Sequence, residues 1–274
     1  MHTPFGLPEI FKEEAKGDLK LVYEDIEYVL KVPIVNFIFR TLGHYEQFLQ
    51  IGWRQIRPNM LTINIENAAE ALRYPNTSFR APTISWNRYY SKETLETIQK
   101  IIFTFNYVNT KLLIISTAWE ESLGYRSIEG GKPINGLIQP GIISGLPPIK
   151  LVHIPQAPPL VQNLLIRIMK KKHAYDAASD YRALAVYPDF LDITWNHIES
   201  YIGSDEYVLA ANKVKSKAIK MVHQQMPYPV SITPEFLYTM YTPREVAGIM
   251  GIISMFSSFI ANLVVNGELF RKFL

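Results

Sequence analysis

The sequence contains no cysteine. That absence removes disulfides, thiol nucleophiles, thiolate metal sites and Cys-x-x-Cys redox chemistry. Histidine is sparse as well. His2, His44, His153, His173, His197 and His223 are scattered, with no pair at one-turn spacing, so no metal site is expected. HExxH, P-loop and GxSxG patterns are missing. Charge of one sign is also missing: the net charge is only +3, and no Lys/Arg stripe argues for nucleic acid. Lys170-Lys171-Lys172 is the densest basic run and reads as a solvated helix end that suits the helix dipole. The first twenty residues lack an apolar stretch flanked by basic residues, so no secretory leader is expected. Together with the missing cysteine this favours a cytoplasmic protein.

Apolar residues make up 48% of the 274-residue chain and charged residues 19%. That balance gives a sizeable core without covalent staples. One uncharged stretch, 246–267, is long enough to span a bilayer. It carries Ser254, Ser257, Ser258, Asn262 and Asn266 besides Gly248 and Gly251, which suits a buried helix of a soluble protein better.

An internal repeat organises the chain. The eighteen residues from Phe39 to Ile56 match those from Tyr181 to Ile198 at a constant offset of 142, with eight identities. The identical pairs include Arg40/Arg182, Tyr45/Tyr187, Phe48/Phe190 and Trp53/Trp195. A weaker echo pairs Thr94–Phe105 with Thr242–Ile253 at an offset of 148. Between Gly124 and Pro159 lie six glycines and seven prolines, a density that breaks helices. The expected organisation is a first helical repeat over 1–123, a Gly/Pro-rich linker over 124–159, and a second helical repeat over 160–274. Apolar residues recur at three- and four-residue steps, and strand-like alternation is scarce. Thr242-Pro243-Arg244-Glu245 predicts a helix start with a capping box. The expected fold is all-α: two tandem helical repeats about a pseudo-twofold axis, with a pocket at their interface.

Two places carry candidate chemistry. Asp180 lies just before the second repeat helix. A helix-capping role is the plain reading, yet the matching position in the first repeat is Ile38, so the shared scaffold does not require an acid there. Asn106 and Asn109 interrupt an apolar helix three residues apart. Buried amides must be bonded to something, either each other's neighbours or a ligand.

Several segments resemble the group I 2-haloacid dehalogenases. They are Tyr23-Glu24-Asp25-Ile26, Val32-Pro33, Trp53-Arg54, Phe105-Asn106-Tyr107-Val108-Asn109, Ala178-Ser179-Asp180-Tyr181-Arg182-Ala183-Leu184, and Thr242-Pro243-Arg244-Glu245-Val246-Ala247-Gly248. They run in order over most of the chain. The resemblance implies an all-helical fold of two related repeats with the active site between them. It implies hydrolysis of 2-halocarboxylic acids by direct attack of water, without a cofactor, giving 2-hydroxy acids and halide. It makes Asp180 the base that activates the water and Asn109 the residue that helps position it. Substrate-binding positions fall at Ile34, Phe37, Ser179 and Phe256. A family tryptophan falls at Ile34, a tyrosine at Phe256 and a glycine at Val108, so a larger or more apolar acid is expected. Two rival readings remain: a non-catalytic ligand-binding or regulatory protein on the same fold, and an alkylhydroperoxidase-like fold, to which Val32-Pro33 followed by Phe39, Leu42 and Tyr45 is also similar. That fold's peroxidase chemistry needs cysteines. The expected partner is a small-molecule acid, with no nucleic acid or membrane, and a homodimer is left open.

Overall fold

The computed structural model describes residues 7–274; the first six residues of the expected first repeat, His2 among them, lie outside these. The fold is all-α. Helices α1 (Gly17–Leu30), α2 (Phe37–Leu42), α3 (Glu46–Met60), α4 (Ile63–Arg73) and α5 (Lys92–Leu123) come first. Then follow α6 (Pro159–Lys171), α7 (Ser179–Leu184), α8 (Pro188–Ile198), α9 (Asp205–Gln225), α10 (Pro234–Leu237) and α11 (Pro243–Arg271). Among the described residues extended pairing is limited to two isolated bridges, Thr62 with Leu137 and Ile128 with Val230.

The helix starts follow from local chemistry. Thr62, Ser91, Ser204, Thr233 and Thr242 each accept a backbone N–H with the side chain and so cap the helix that follows. At Thr242 the capping box is complete, and Pro243 fills a first-turn position where its missing N–H costs nothing. Pro188 opens α8 in the same way, while Pro33 lies between α1 and α2.

Helices α6, α7, α8 and α9 start at residues 159, 179, 188 and 205, each 142 residues after the starts of α1, α2, α3 and α4 at 17, 37, 46 and 63. The last helices keep a different offset. Their caps, Ser91 and Thr242, are 151 residues apart, not 148 as the weaker echo suggests. Helix α9 is 21 residues long against 11 for α4, and this lengthening accounts for the shift. Aromatic contacts keep the same register. Phe39 meets Trp53 and Trp119 edge-on, and Tyr181 meets Trp195 and Phe270 edge-on.

The two halves also exchange contacts. The Phe48 N–H donates to the Tyr241 hydroxyl at 2.9 Å, and the Phe190 N–H donates to the Tyr90 hydroxyl at 3.0 Å. A tyrosine just before the last helix of each half thus closes the start of a helix in the other. The Gly/Pro-rich segment straps both halves: Ile128 pairs with Val230, Gly141 N–H reaches the Tyr28 carbonyl at 2.7 Å, and Val152 N–H reaches the Arg182 carbonyl at 3.1 Å.

Helices α5 and α11 form the most extensive helix–helix contact. Both are long and apolar enough to cross a membrane by length and composition; the most apolar stretch of α5 is 94% buried inside the protein and that of α11 50%. The expected buried helix over 246–265 is buried on one face only in its first half, where Val246, Ile249 and Ile253 are buried and Ala247, Gly251 and Ser254 exposed, and it is almost wholly enclosed after Ser258. Where the helices meet, Asn106 Nδ2 donates to the Gly267 carbonyl at 3.2 Å, and a Cβ at Gly267 would fall 1.8 Å from Asn106 Oδ1. Gly267→Ala should lower stability by about 1–3 kcal/mol through overpacking. Gly251→Ala, with nothing within 4 Å of its Cβ, should leave it unchanged or raise it by up to about 1 kcal/mol through helix propensity. Denaturant titration of the two variants checks the contrast.

Candidate active site

Helices α2 and α7 start beside each other against α5 and α11. Asn36, Phe37, Ile38, Ala178, Ser179 and Asp180 meet Asn109 and Phe256 there around a small cavity of about 20 Å³, room for about one water. Asp180 is not a cap. The N-cap position of α7 is Ala178, without a side-chain cap bond, and Asp180 is 7% exposed. Its carboxylate accepts from Asn109 Nδ2 at 2.7 Å. The bond joins α5 to α7, residues 71 apart in sequence. Asn106 takes no part; it serves the α5–α11 contact.

Burial pushes the Asp180 carboxyl up to about 6, against the hydrogen bond from Asn109 and the attraction of Lys172. A site at a helix start favours the ionised form, and here desolvation outweighs it. A buried carboxyl that titrates near neutrality is suited to take a proton.

Lys172 departs from the solvated helix end expected of the three-lysine run. Its ammonium turns inward and donates to the Tyr207 hydroxyl at 3.1 Å. Tyr207 donates to Asn266 Oδ1 at 2.9 Å, and Asn266 Nδ2 donates to the Tyr181 hydroxyl at 2.7 Å. Enclosure lowers the Lys172 ammonium to about 7, opposed by Asp180.

Of the other sequence-expected residues, Phe37, Ser179 and Phe256 line the cavity. Phe37 and Phe256 meet edge to face with centroids 5.1 Å apart. Ile34 is buried, 6% exposed, but is not among the residues lining the cavity. Behind Ser179 stands a group that sequence reasoning missed. Arg40 Nη2 donates to Ser179 Oγ at 3.0 Å, and Glu9 bridges Arg40 and Arg182 at 2.6 and 2.7 Å. The signal was present, since Arg40 and Arg182 are an identical pair of the repeat, but Glu9 lies far from both in sequence. Among the described residues no group of three or more His, Asp or Glu side chains is placed to hold a metal ion.

The family model for halocarboxylic acid dehydrogenase DehI matches residues 33–181, a span that contains both members of the Asn109–Asp180 pair. The chain belongs to that family. A configuration-inverting 2-haloacid dehalogenase from Alcaligenes xylosoxydans xylosoxydans is 27% identical over 281 residues, covering 97% of this chain and 93% of that protein. One from Pseudomonas sp. (strain 113) is 27% identical over 278 residues, covering 96% and 90%. A solved complex of D-2-haloacid dehalogenase with L-LA shares the fold, with a TM-score of 0.89, 21% identity and coverage of 100% of this chain and 98% of that one.

The raised carboxyl carries a sign for stability. A group whose pKa is higher in the folded than in the unfolded state favours folding below its unfolded value of 3.8, and this advantage is lost as pH rises through about 6. Above that, the buried carboxylate is a cost. Asp180→Asn keeps the acceptor for Asn109 and removes the charge, so at pH 8 it should raise stability by about 1–3 kcal/mol, read by denaturant unfolding. Equal or lower stability in the variant at pH 8 would contradict this account.

Proposed function

We propose that this chain is a group I 2-haloacid dehalogenase: a carbon–halide hydrolase that converts 2-halocarboxylic acids to 2-hydroxy acids by direct attack of water. The observation that carries the reading is the buried Asn109–Asp180 pair, set in a cavity with room for about one water. Membership of the family and the printed activities of the relatives support it.

In this reading water attacks the carbon next to the substrate carboxylate. The new C–O bond forms as the carbon–halogen bond breaks, the halide leaves with the bonding pair, and Asp180 takes the proton from the attacking oxygen. Water is a poor nucleophile, so the base must be held. The amide of Asn109 fixes one carboxylate oxygen by its N–H and keeps its own oxygen available to orient the water. Attack opposite the leaving halide inverts the carbon. Either enantiomer can be accepted where the pocket admits both faces, which is the group I property.

The narrowing of the site by the edge-to-face Phe37–Phe256 pair favours short acids over the larger acid expected from Ile34 and Phe256. Ile34 does not line the cavity, so its reduced bulk does not widen it, and the Phe37–Phe256 pair narrows it. We also take 1–123 and 160–274 as copies of one duplicated unit related by a pseudo-twofold axis. The common helix offsets and the exchanged tyrosine contacts support that descent.

The test is halide release from both enantiomers of 2-chloropropionate and from a chain-length series. Both enantiomers should react, and two- and three-carbon acids should react fastest. kcat/KM should fall as pH drops through about 6, where Asp180 becomes protonated. Asp180→Asn should cost roughly two to four decades of rate. A folded protein that binds these acids without releasing halide would favour a ligand-binding role instead.

A further inference from the structure

Asn36 stands at the N-cap position of α2, the place where an asparagine ordinarily accepts a backbone N–H. It makes no such bond. Its Oδ1 is buried without any hydrogen-bond partner, and the residue is 2% exposed and lines the cavity beside Asp180. A buried amide left unbonded costs free energy, and one that also lines a cavity calls for an explanation.

The repeat register sharpens the point. At the common offset of 142, Asn36 corresponds to Ala178 and Asp180 to Ile38; at the offset of 151 that aligns α5 with α11, Asn109 corresponds to Ile260. All six line the cavity. In each pair one half supplies a polar side chain and the other an apolar one. Two of the three polar members are the reacting pair. The third has no role in the scaffold, because it neither caps its helix nor bonds a neighbour through Oδ1.

The surroundings point to an anion. The hydroxyl oxygen of Ser179 is taken by Arg40, which leaves its proton free to donate elsewhere. Behind it Glu9 sits between two arginines, all buried, so one positive charge is in surplus next to the pocket. The Asp176 carboxyl, also close to Arg40 and Arg182, is pushed by burial up to about 6; around neutral pH it is largely ionised and offsets much of that charge, so the free Ser179 proton is the feature that points to an anion.

We propose that Asn36 is a substrate-binding residue whose amide, together with the Ser179 hydroxyl, holds the carboxylate of the 2-halo acid. An asparagine with an unbonded oxygen can turn over about its last torsion without losing a bond there, so Nδ2 meets an anionic oxygen where Oδ1 now stands. This rests on the proposed dehalogenase reading and adds to it the residue that orients the acid.

The experiment compares wild type with Asn36→Ala, which installs the residue of the other half, and Asn36→Asp, which keeps shape and capping ability. Asn36→Ala should raise KM for 2-chloropropionate about ten- to hundredfold and leave kcat within about threefold. Calorimetric binding of propionate, which has no halogen to lose, should weaken by the same factor. Binding of the neutral propionamide should change less than threefold. Asn36→Asp should bind propionate still more weakly through like charge, and it serves if the alanine variant does not fold. Unchanged KM and propionate affinity in the variants would overturn the proposal, as would equal losses for acid and amide. A wild type that binds propionate through Asn36 yet releases no halide would overturn the dehalogenase reading and leave this site standing.

Discussion

The bond from Asn109 to Asp180 is possible only where helices from opposite halves of the chain are brought to one point. Asn109 lies deep in α5, whose flank against α11 is the broadest helix contact of the fold. Asp180 lies in the first turn of α7, a helix of six residues that has little stability of its own. What holds α7 is its surroundings: Arg182 bound to Glu9 and Val152, Tyr181 bound to Asn266, and the aromatic seat of Tyr181 on Trp195 and Phe270. The Asp180 carboxylate thus depends on long-range packing, not on the helix that carries it.

The same dependence explains why the scaffold and the site obey different rules. Positions that hold the halves together come in matched pairs: Phe48 and Phe190 with their exchanged tyrosines, Phe39 and Tyr181 with their tryptophans. Four of the pairs that line the cavity, Asn36/Ala178, Phe37/Ser179, Ile38/Asp180 and Asn109/Ile260, are mismatched, polar on one side and apolar on the other, while Leu112/Leu263 is alike. A cavity with two identical halves would present either two carboxylates, which repel and raise each other's pKa, or none. A single carboxylate against an apolar wall avoids that, and the apolar wall also supplies the desolvation that raises Asp180.

Much of this was legible in the sequence. The helical class, the 142-residue offset that the helix starts keep and the contrast of Asp180 with Ile38 follow from periodicity and from one alignment. The register of the last helices was not, because the lengthening of α9 moves it from 142 to 151 and a short apolar echo, read at 148, can slide by a turn. Asn106 and Asn109 look alike as letters; one bonds a backbone carbonyl and the other Asp180, and only the crossing of α5 with α11 and α7 separates them. Lys172 looked like one of three surface lysines because nothing local shows that Tyr207, 35 residues on, waits inside. Glu9 and Asn36 escaped for a related reason. Their partners, or lack of them, are set by tertiary contacts.

Charge balance around the cavity follows from these contacts. Under the proposed function an anionic acid enters a site that already holds a carboxylate, and in a medium of low dielectric that repulsion is severe. Two cationic groups oppose it from different sides. Arg40 and Arg182 share one glutamate behind Ser179, and Lys172 attracts Asp180 from the side of α9. Neither cation is placed as a direct partner of Asp180, whose one side-chain bond is the neutral Asn109. A direct ion pair would hold the carboxyl well below neutrality and make it a poor proton acceptor. Cations at one remove leave Asp180 its raised affinity for a proton, which is what the proposed base needs, while their field offsets the charge of an incoming anion.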